Sequence, residues 1–225
     1  LANMKLNREI FNFFINIKKN NNRDWFLSNK NLFIINRDQL KILGEILKER
    51  LNRFDNIDKF KLFRIYRDVR FSKNKTPYKT HFGLIWHRLK PKLRGGYYLH
   101  IEDKKSFLAC GFWAPNPKDL KRIRHEISYD SVELRSILKE KSFHSLWGQL
   151  KGDEVKTSPR GFHVNHPDID LIRKKQYIFT INFSNKEVCS KNFIDVIENA
   201  LFKVRPFVDY MSEVLTTNEN GEPLY

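Results

Sequence analysis

The stretch FRIYRDVRFSKNKTPYKTHFG, Phe63 to Gly83, decides how the chain is read. Phe63, Ile65, Val69 and Phe71 are apolar, and Arg64, Arg67, Asp68 and Arg70 lie between them, with Tyr66 out of step. A period near two predicts a half-buried strand with a bulge near Arg67. Ser72 to Pro77 reads as a turn, because Asn74 tolerates unusual backbone angles and Pro77 drives Thr76 towards extended geometry. Tyr78 to Trp86 is apolar again. One strand is therefore expected to run into a basic loop, and the loop into a second strand. Asp68 is the single carboxylate among Arg64, Arg67, Arg70, Lys73, Lys75 and Lys79. Such a loop repels itself unless an anion, a carboxylate from elsewhere or solvent offsets the charge.

Upstream, Arg8 to Lys18 carries Ile10, Phe11, Phe14 and Ile15 at helical spacing, and Asn20-Asn21-Asn22 ends that helix. Asn22 or Asp24 can cap a long second helix over Trp25 to Arg53, with Asn56 to Lys59 as the turn that follows. Downstream, Thr80 to Leu89, Tyr97 to Glu102, Ser106 to Phe112 and Tyr177 to Phe183 read as strands, the middle two as a hairpin across Asp103-Lys104-Lys105. Pro117 starts a helix to Ser128, and a further helix spans Ser131 to Lys141. Phe143 to Val164 is rich in turn signals, and His166-Pro167-Asp168 opens a short helix. A final helix, Lys191 to Leu215, contains Pro206, which predicts a kink. Helices at both ends of a meander of about five strands predict an α+β fold with an antiparallel sheet. Residues 1–225 are expected to form a single domain, with Leu1 to Asn3 extraneous to a natural start at Met4 and residues 216–225 a frayed polar tail.

The chain has 225 residues, enough to bury a sizeable core. No apolar run approaches the ~20 residues that span a bilayer, so a membrane role is not expected and the cytoplasm is the expected compartment. Cys110 and Cys189 stand far apart, make no metal motif and are expected to be reduced thiols. The net charge is +16, from 42 Lys+Arg against 26 Asp+Glu. That balance points to an anionic partner. Lys, Asn, Ile and Phe are all abundant, as AT-rich coding produces, so scattered lysines weigh less than the arginines of residues 64–70.

Arg offers planar paired donors, Lys a point charge, and Ser72 and Thr76 hydroxyl donors, so Arg64, Arg67, Arg70, Ser72, Lys73, Lys75, Thr76 and Lys79 form a candidate anion site. The spacing is not that of a Walker loop. The structural alternative is a salt-bridge network in which these arginines hold Asp68, Glu102, Asp168 or Asp170. Asp68, Tyr78, His81 and His166 are candidate catalytic groups, with His100 a further acid–base side chain. His166 can instead cap the helix after it. Tyr97, Tyr98, Trp86 and Trp113 could stack on bases but are more often core residues. No metal-binding motif is visible, and neither a metal nor another cofactor is expected.

Four motifs carry a resemblance over nearly the whole chain: NNRDWF (Asn21 to Phe26), the Phe63 to Gly83 stretch, GGYYLHIE (Gly95 to Glu102) and HPDIDLIRKK (His166 to Lys175). They resemble an uncharacterised family of conserved hypothetical bacterial proteins, the domain of unknown function numbered twenty-four sixty-one. The resemblance implies no activity. Asn165 stands where the family pattern has Asp before the His-Pro pair, which weakens a carboxylate role there. The residues themselves predict a small phosphorylated or carboxylated ligand at the basic loop, bound by a carrier or by an enzyme. Nucleic acid on the same surface is one alternative, and a structural or partner-binding protein held by internal salt bridges is another. Oligomeric state is not legible.

Overall fold

Five strands, β1 (Ile57–Leu62), β2 (Phe82–Arg88), β3 (Gly96–Ile101), β4 (Ser106–Phe112) and β5 (Tyr177–Phe183), lie side by side in chain order in the computed structural model. Helices precede and follow them, so the fold is α+β with an antiparallel sheet, as the element order predicts. Residues 4–218 and 220–225 are described, and Leu1 to Asn3 lie outside them.

The first strand is not where the alternation placed it. Regular pairing occupies Ile57–Leu62, beginning within the Asn56 to Lys59 segment read as a turn, and residues 63–81 leave the ladder. Phe63 N–H still donates to the Gly83 carbonyl. Beyond that the two arms touch through one isolated bridge, Tyr66 with Tyr78, flanked by Arg67 N–H to Pro77 O and Lys79 N–H to Ile65 O. Ile57-Asp58-Lys59-Phe60-Lys61-Leu62 alternates only over its last three residues, yet it alone pairs regularly with β2 before the two arms diverge. The arms enclose the basic loop.

The predicted long second helix is two, α2 (Arg23–Ser28) and α3 (Lys30–Leu51), after α1 (Glu9–Lys19). Asn22 caps α2, its Oδ1 accepting from Trp25 N–H at 2.9 Å. Asn29 breaks the run by turning its own amide onto the Trp25 carbonyl, a local bond that competes with helix continuation.

Contacts group the chain into two compact units. The first comprises 1–86, 98–108 and 182–199. Its core is aromatic: Phe14 meets Phe82, Phe82 meets Phe33, and Phe60 stacks on Trp86 at 5.5 Å. Arg50, at the end of α3, bonds both Asp195 and Glu198. Residues 185–188 form a short helix, α8 (Asn185–Val188), closed by a Ser184–Glu187 capping box.

The second unit comprises 87–97, 109–181 and 200–225. It holds α4 (Pro117–Tyr129), α5 (Val132–Lys139), α6 (Lys141–Trp147), α7 (Ile169–Ile172) and most of α9 (Phe193–Thr216). Helix α6 lies in a region read as loop. Its signal is Glu140, whose carboxylate accepts from the free N–H groups of Ser142 and Phe143, while Phe143 and Trp147 bury. Phe179 packs edge-on against Phe143 and Phe207, each at 5.0 Å. In the polar tail, Asn218 Oδ1 accepts from the N–H groups of Asn220 and Glu222, and Leu224 N–H donates to Thr216 O.

Cys110 and Cys189 are both free thiols. Cys110 is buried, and burial pushes its thiol above the usual range. Cys189 is half-buried and its thiol is raised less far. A thiol reagent is therefore expected to label Cys189 in the native protein and Cys110 only after denaturation, because the thiolate is the reacting form. Equal native labelling rates, or a disulfide in protein purified without reductant, would contradict this.

Candidate functional site

Strand β3 alternates. Tyr97, Leu99 and Ile101 are fully buried, whereas Tyr98, His100 and Glu102 point the other way and are half-buried. The outward row is hydrogen-bonded: Tyr98 Oη lies 3.1 Å from His100 Nδ1, and His100 Nε2 lies 2.9 Å from Glu102 Oε2. An ionised carboxylate only accepts, so Nε2 carries the proton and Nδ1 accepts from the tyrosine hydroxyl. The His100 ring stacks on His81, just before β2, at 4.3 Å, and on Phe107 of β4 at 4.7 Å. Gly83 makes room for this row, since a Cβ there would stand 2.7 Å from Tyr98 Oη.

Burial is the largest influence on His81 and pushes its pKa down to about 4, helped by His100, Lys79 and Arg67 and opposed by Glu102. His81 is therefore a neutral imidazole at pH 7. The ligating atoms of His81, His100 and Glu102 all lie within 4.8 Å of one another.

The basic loop adjoins this cluster. Arg67 is half-buried, and its guanidinium binds the hydroxyls of Thr76 and Ser72. Lys75 Nζ donates to the Val69 carbonyl at 3.0 Å. Lys79 Nζ and Lys61 Nζ stand over the Phe63 ring at 5.5 and 5.3 Å. Burial first, then Arg64 and Lys61, lower the Lys79 pKa. Among the described residues, Arg64, Arg67, Lys73, Lys75 and Lys79 have no carboxylate within salt-bridge distance. Asp68 is taken up by Arg70, through Nε at 3.0 Å and Nη2 at 2.7 Å. That pair holds the Asp68 carboxyl below its usual range.

The other sequence candidates are spoken for. Tyr78 is buried and stacks on Phe26 at 4.2 Å, with Asn21 bonding both its N–H and its carbonyl. Burial raises its pKa, and its surroundings are those of a core residue. His166, in the second unit, accepts from Asp168 N–H through Nδ1 and meets Ser128 Oγ through Nε2, the local role of a turn before α7. Asp168 and Asp170 both bind Arg135, and Glu102 faces His100. Of the residues named as catalytic from sequence, the structure brings His81 to the cluster. Glu102, read as a salt-bridge partner, belongs there with His100. The overlooked signal is His100-Ile101-Glu102, a spacing of two that puts both side chains on one strand face.

Of the aromatics offered for stacking, Trp86 and Tyr97 are fully buried and Trp113 is 66% exposed. Among the described residues, no helix is long and apolar enough to cross a membrane.

Fold and site together define an α+β protein with a basic loop beside a histidine–glutamate cluster. The chain belongs to the conserved hypothetical protein family DUF2461, whose model matches residues 9–210. No curated protein and no solved structure matches it.

Proposed function

We propose that this is a cytoplasmic protein that binds a small phosphorylated or carboxylated ligand at residues 64–79, with His81, His100 and Glu102 supplying acid–base groups at the same site. The observation that carries this reading is the set of cations, Arg64, Arg67, Lys73, Lys75 and Lys79, without carboxylate partners among the described residues. Like charges held together cost stability unless an anion offsets them, and functional sites are where such cost persists. Arg67 shapes the loop, whereas Arg64, Lys73 and Lys79 leave their charges to a ligand. A neutral His81 beside a Glu102–His100 pair sets an imidazole next to a hydrogen-bonded carboxylate–imidazole pair. Two free cysteines fit a reducing compartment.

Lys79→Gln and Arg64→Gln are expected to leave the melting temperature unchanged or raised, because each removes repulsion. With phosphate at ~10 times its dissociation constant, the parent should gain about 1.4 kcal/mol by mass action, or roughly 3–5 °C for a chain of this size. The variants should gain less than half of that. No phosphate-dependent shift in the parent, together with large destabilisation of both variants, would sink the anion-site reading.

One observation favours nucleic acid as a second reading. Phe71 is 96% exposed within the basic loop, with the Arg70 guanidinium 6.0 Å from its ring. An exposed aromatic among cations suits base stacking beside phosphate contacts. Binding of single-stranded oligonucleotides should then weaken steeply with salt and drop with Phe71→Ala. A fluorescence titration with no binding at low salt removes this reading.

A further inference from the structure

We propose that His81, His100 and Glu102 form a binding site for a divalent transition-metal ion of the zinc, cobalt or iron class. Two imidazoles and one carboxylate are a borderline donor set that such ions prefer and that magnesium and calcium do not. The three ligating atoms lie within 4.8 Å of one another. His100 lies on β3, Glu102 directly follows that strand and His81 directly precedes the neighbouring β2, so the sheet fixes where the three backbones meet.

Ligands of one tetrahedral ion at ~2.1 Å stand about 3.4 Å apart, so the cluster must contract on binding. His100 Nε2 and Glu102 Oε2, 2.9 Å apart, are closer than that and need only open slightly. His81 therefore makes most of the movement, and its ring already stacks on His100. The ion would replace the proton between His100 and Glu102. His100 then stays neutral by carrying its proton on Nδ1 and donating it to Tyr98 Oη, which is 3.1 Å away. A second ring nitrogen held by an outer partner is the usual support of a metal-bound histidine. Phe107, stacked on His100, and Gly83, which admits the tyrosine hydroxyl, fix the ring further.

Three protein ligands leave at least one position open, and all three residues are half-buried. That is the pattern of an ion that meets a ligand, since structural zinc sites close with a fourth side chain. Arg67 and Lys79, whose charges reach His81, oppose a bare cation and favour one that carries an anion. The metal site itself stands on the cluster geometry and does not depend on the anion reading.

The test uses the full chain, stripped with chelator and dialysed, and titrated with Co(II) and Zn(II) as the only additions. One ion per chain is expected, with visible Co(II) bands of nitrogen–oxygen ligation. His81→Gln and Glu102→Gln should each weaken binding by more than roughly 100-fold, beyond the range of an outer partner, without changing the far-ultraviolet circular dichroism. Tyr98→Phe should weaken it by roughly 10-fold, the smaller effect of an outer partner. If a variant does not fold, the parent decides by nitrogen-15 spectra of its histidine rings. Zn(II) should then shift one ring nitrogen each of His81 and His100 and leave the remaining histidines in place. No saturable binding by the parent overturns the proposal, as does undiminished binding in folded variants, or shifts confined to other histidines.

Discussion

Gly111→Ala is expected to cost about 3–5 kcal/mol, close to the limit of what a single substitution does. Gly111 lies in β4 with φ +110°, a conformation that side chains disfavour, and a Cβ there would stand 2.2 Å from the Tyr177 carbonyl oxygen of β5. The neighbour is backbone, so no rotamer change relieves the clash. The two strands must separate or the hydrogen-bonded register must shift. Backbone strain of roughly 1–3 kcal/mol adds to overpacking of roughly 1–3 kcal/mol. Because β5 also carries Phe179, the centre of the aromatic packing in its unit, displacement would loosen that core. Urea denaturation is the measurement, and a loss below about 1 kcal/mol would show that the close approach of β4 and β5 is not maintained.

Arg88→Met is expected to be the next most damaging change, at about 2–4 kcal/mol. The Arg88 side chain is fully buried on β2 and bonds Asp209 of α9, the Val208 carbonyl and the Arg94 carbonyl. Methionine matches its length and keeps its packing, so the loss isolates the hydrogen bonds. Asp209 retains Arg205, through Nε and Nη2, and is 41% exposed, so its charge is not stranded. The cost comes chiefly from the Arg94 carbonyl, at roughly 1–3 kcal/mol when left without a donor, with a smaller loss at the Val208 carbonyl, which keeps its helical N–H partner. Arg88→Lys should recover part of it, because one ammonium reaches fewer of the partners than a guanidinium. Equal stability of Arg88→Met and the parent in the same denaturation series would show that these bonds contribute nothing net.

The basic loop illustrates how far residues 63–83 could be read. Its cations, its turn and its flanking apolar arms follow from composition and period. That Arg64, Arg67, Lys73, Lys75 and Lys79 have no carboxylate partner among the described residues does not, because Asp168, Asp170 and Glu102 were available by charge and only folding assigns them to Arg135 and His100. The first strand was misplaced for a related reason. Phe63–Phe71 alternates more regularly than Ile57–Leu62, and the choice rests on which segment lies against β2.

Sequence by itself determined the α+β class, helices at both ends of a meander of five strands, the Asn22 helix cap and the position of the charged loop. These depend on local periodicity, capping chemistry and Pro or Asn signals, which act over a few residues. Tertiary structure alone decided that His81 and His100 stack, that Glu102 and Tyr98 hold the second of them, that Tyr78 is buried against Phe26, and that His166 bonds Asp168 and Ser128. Strand pairing joins residues far apart in the chain, and a shift of one position in register would turn Tyr98 and His100 of β3 to the opposite face.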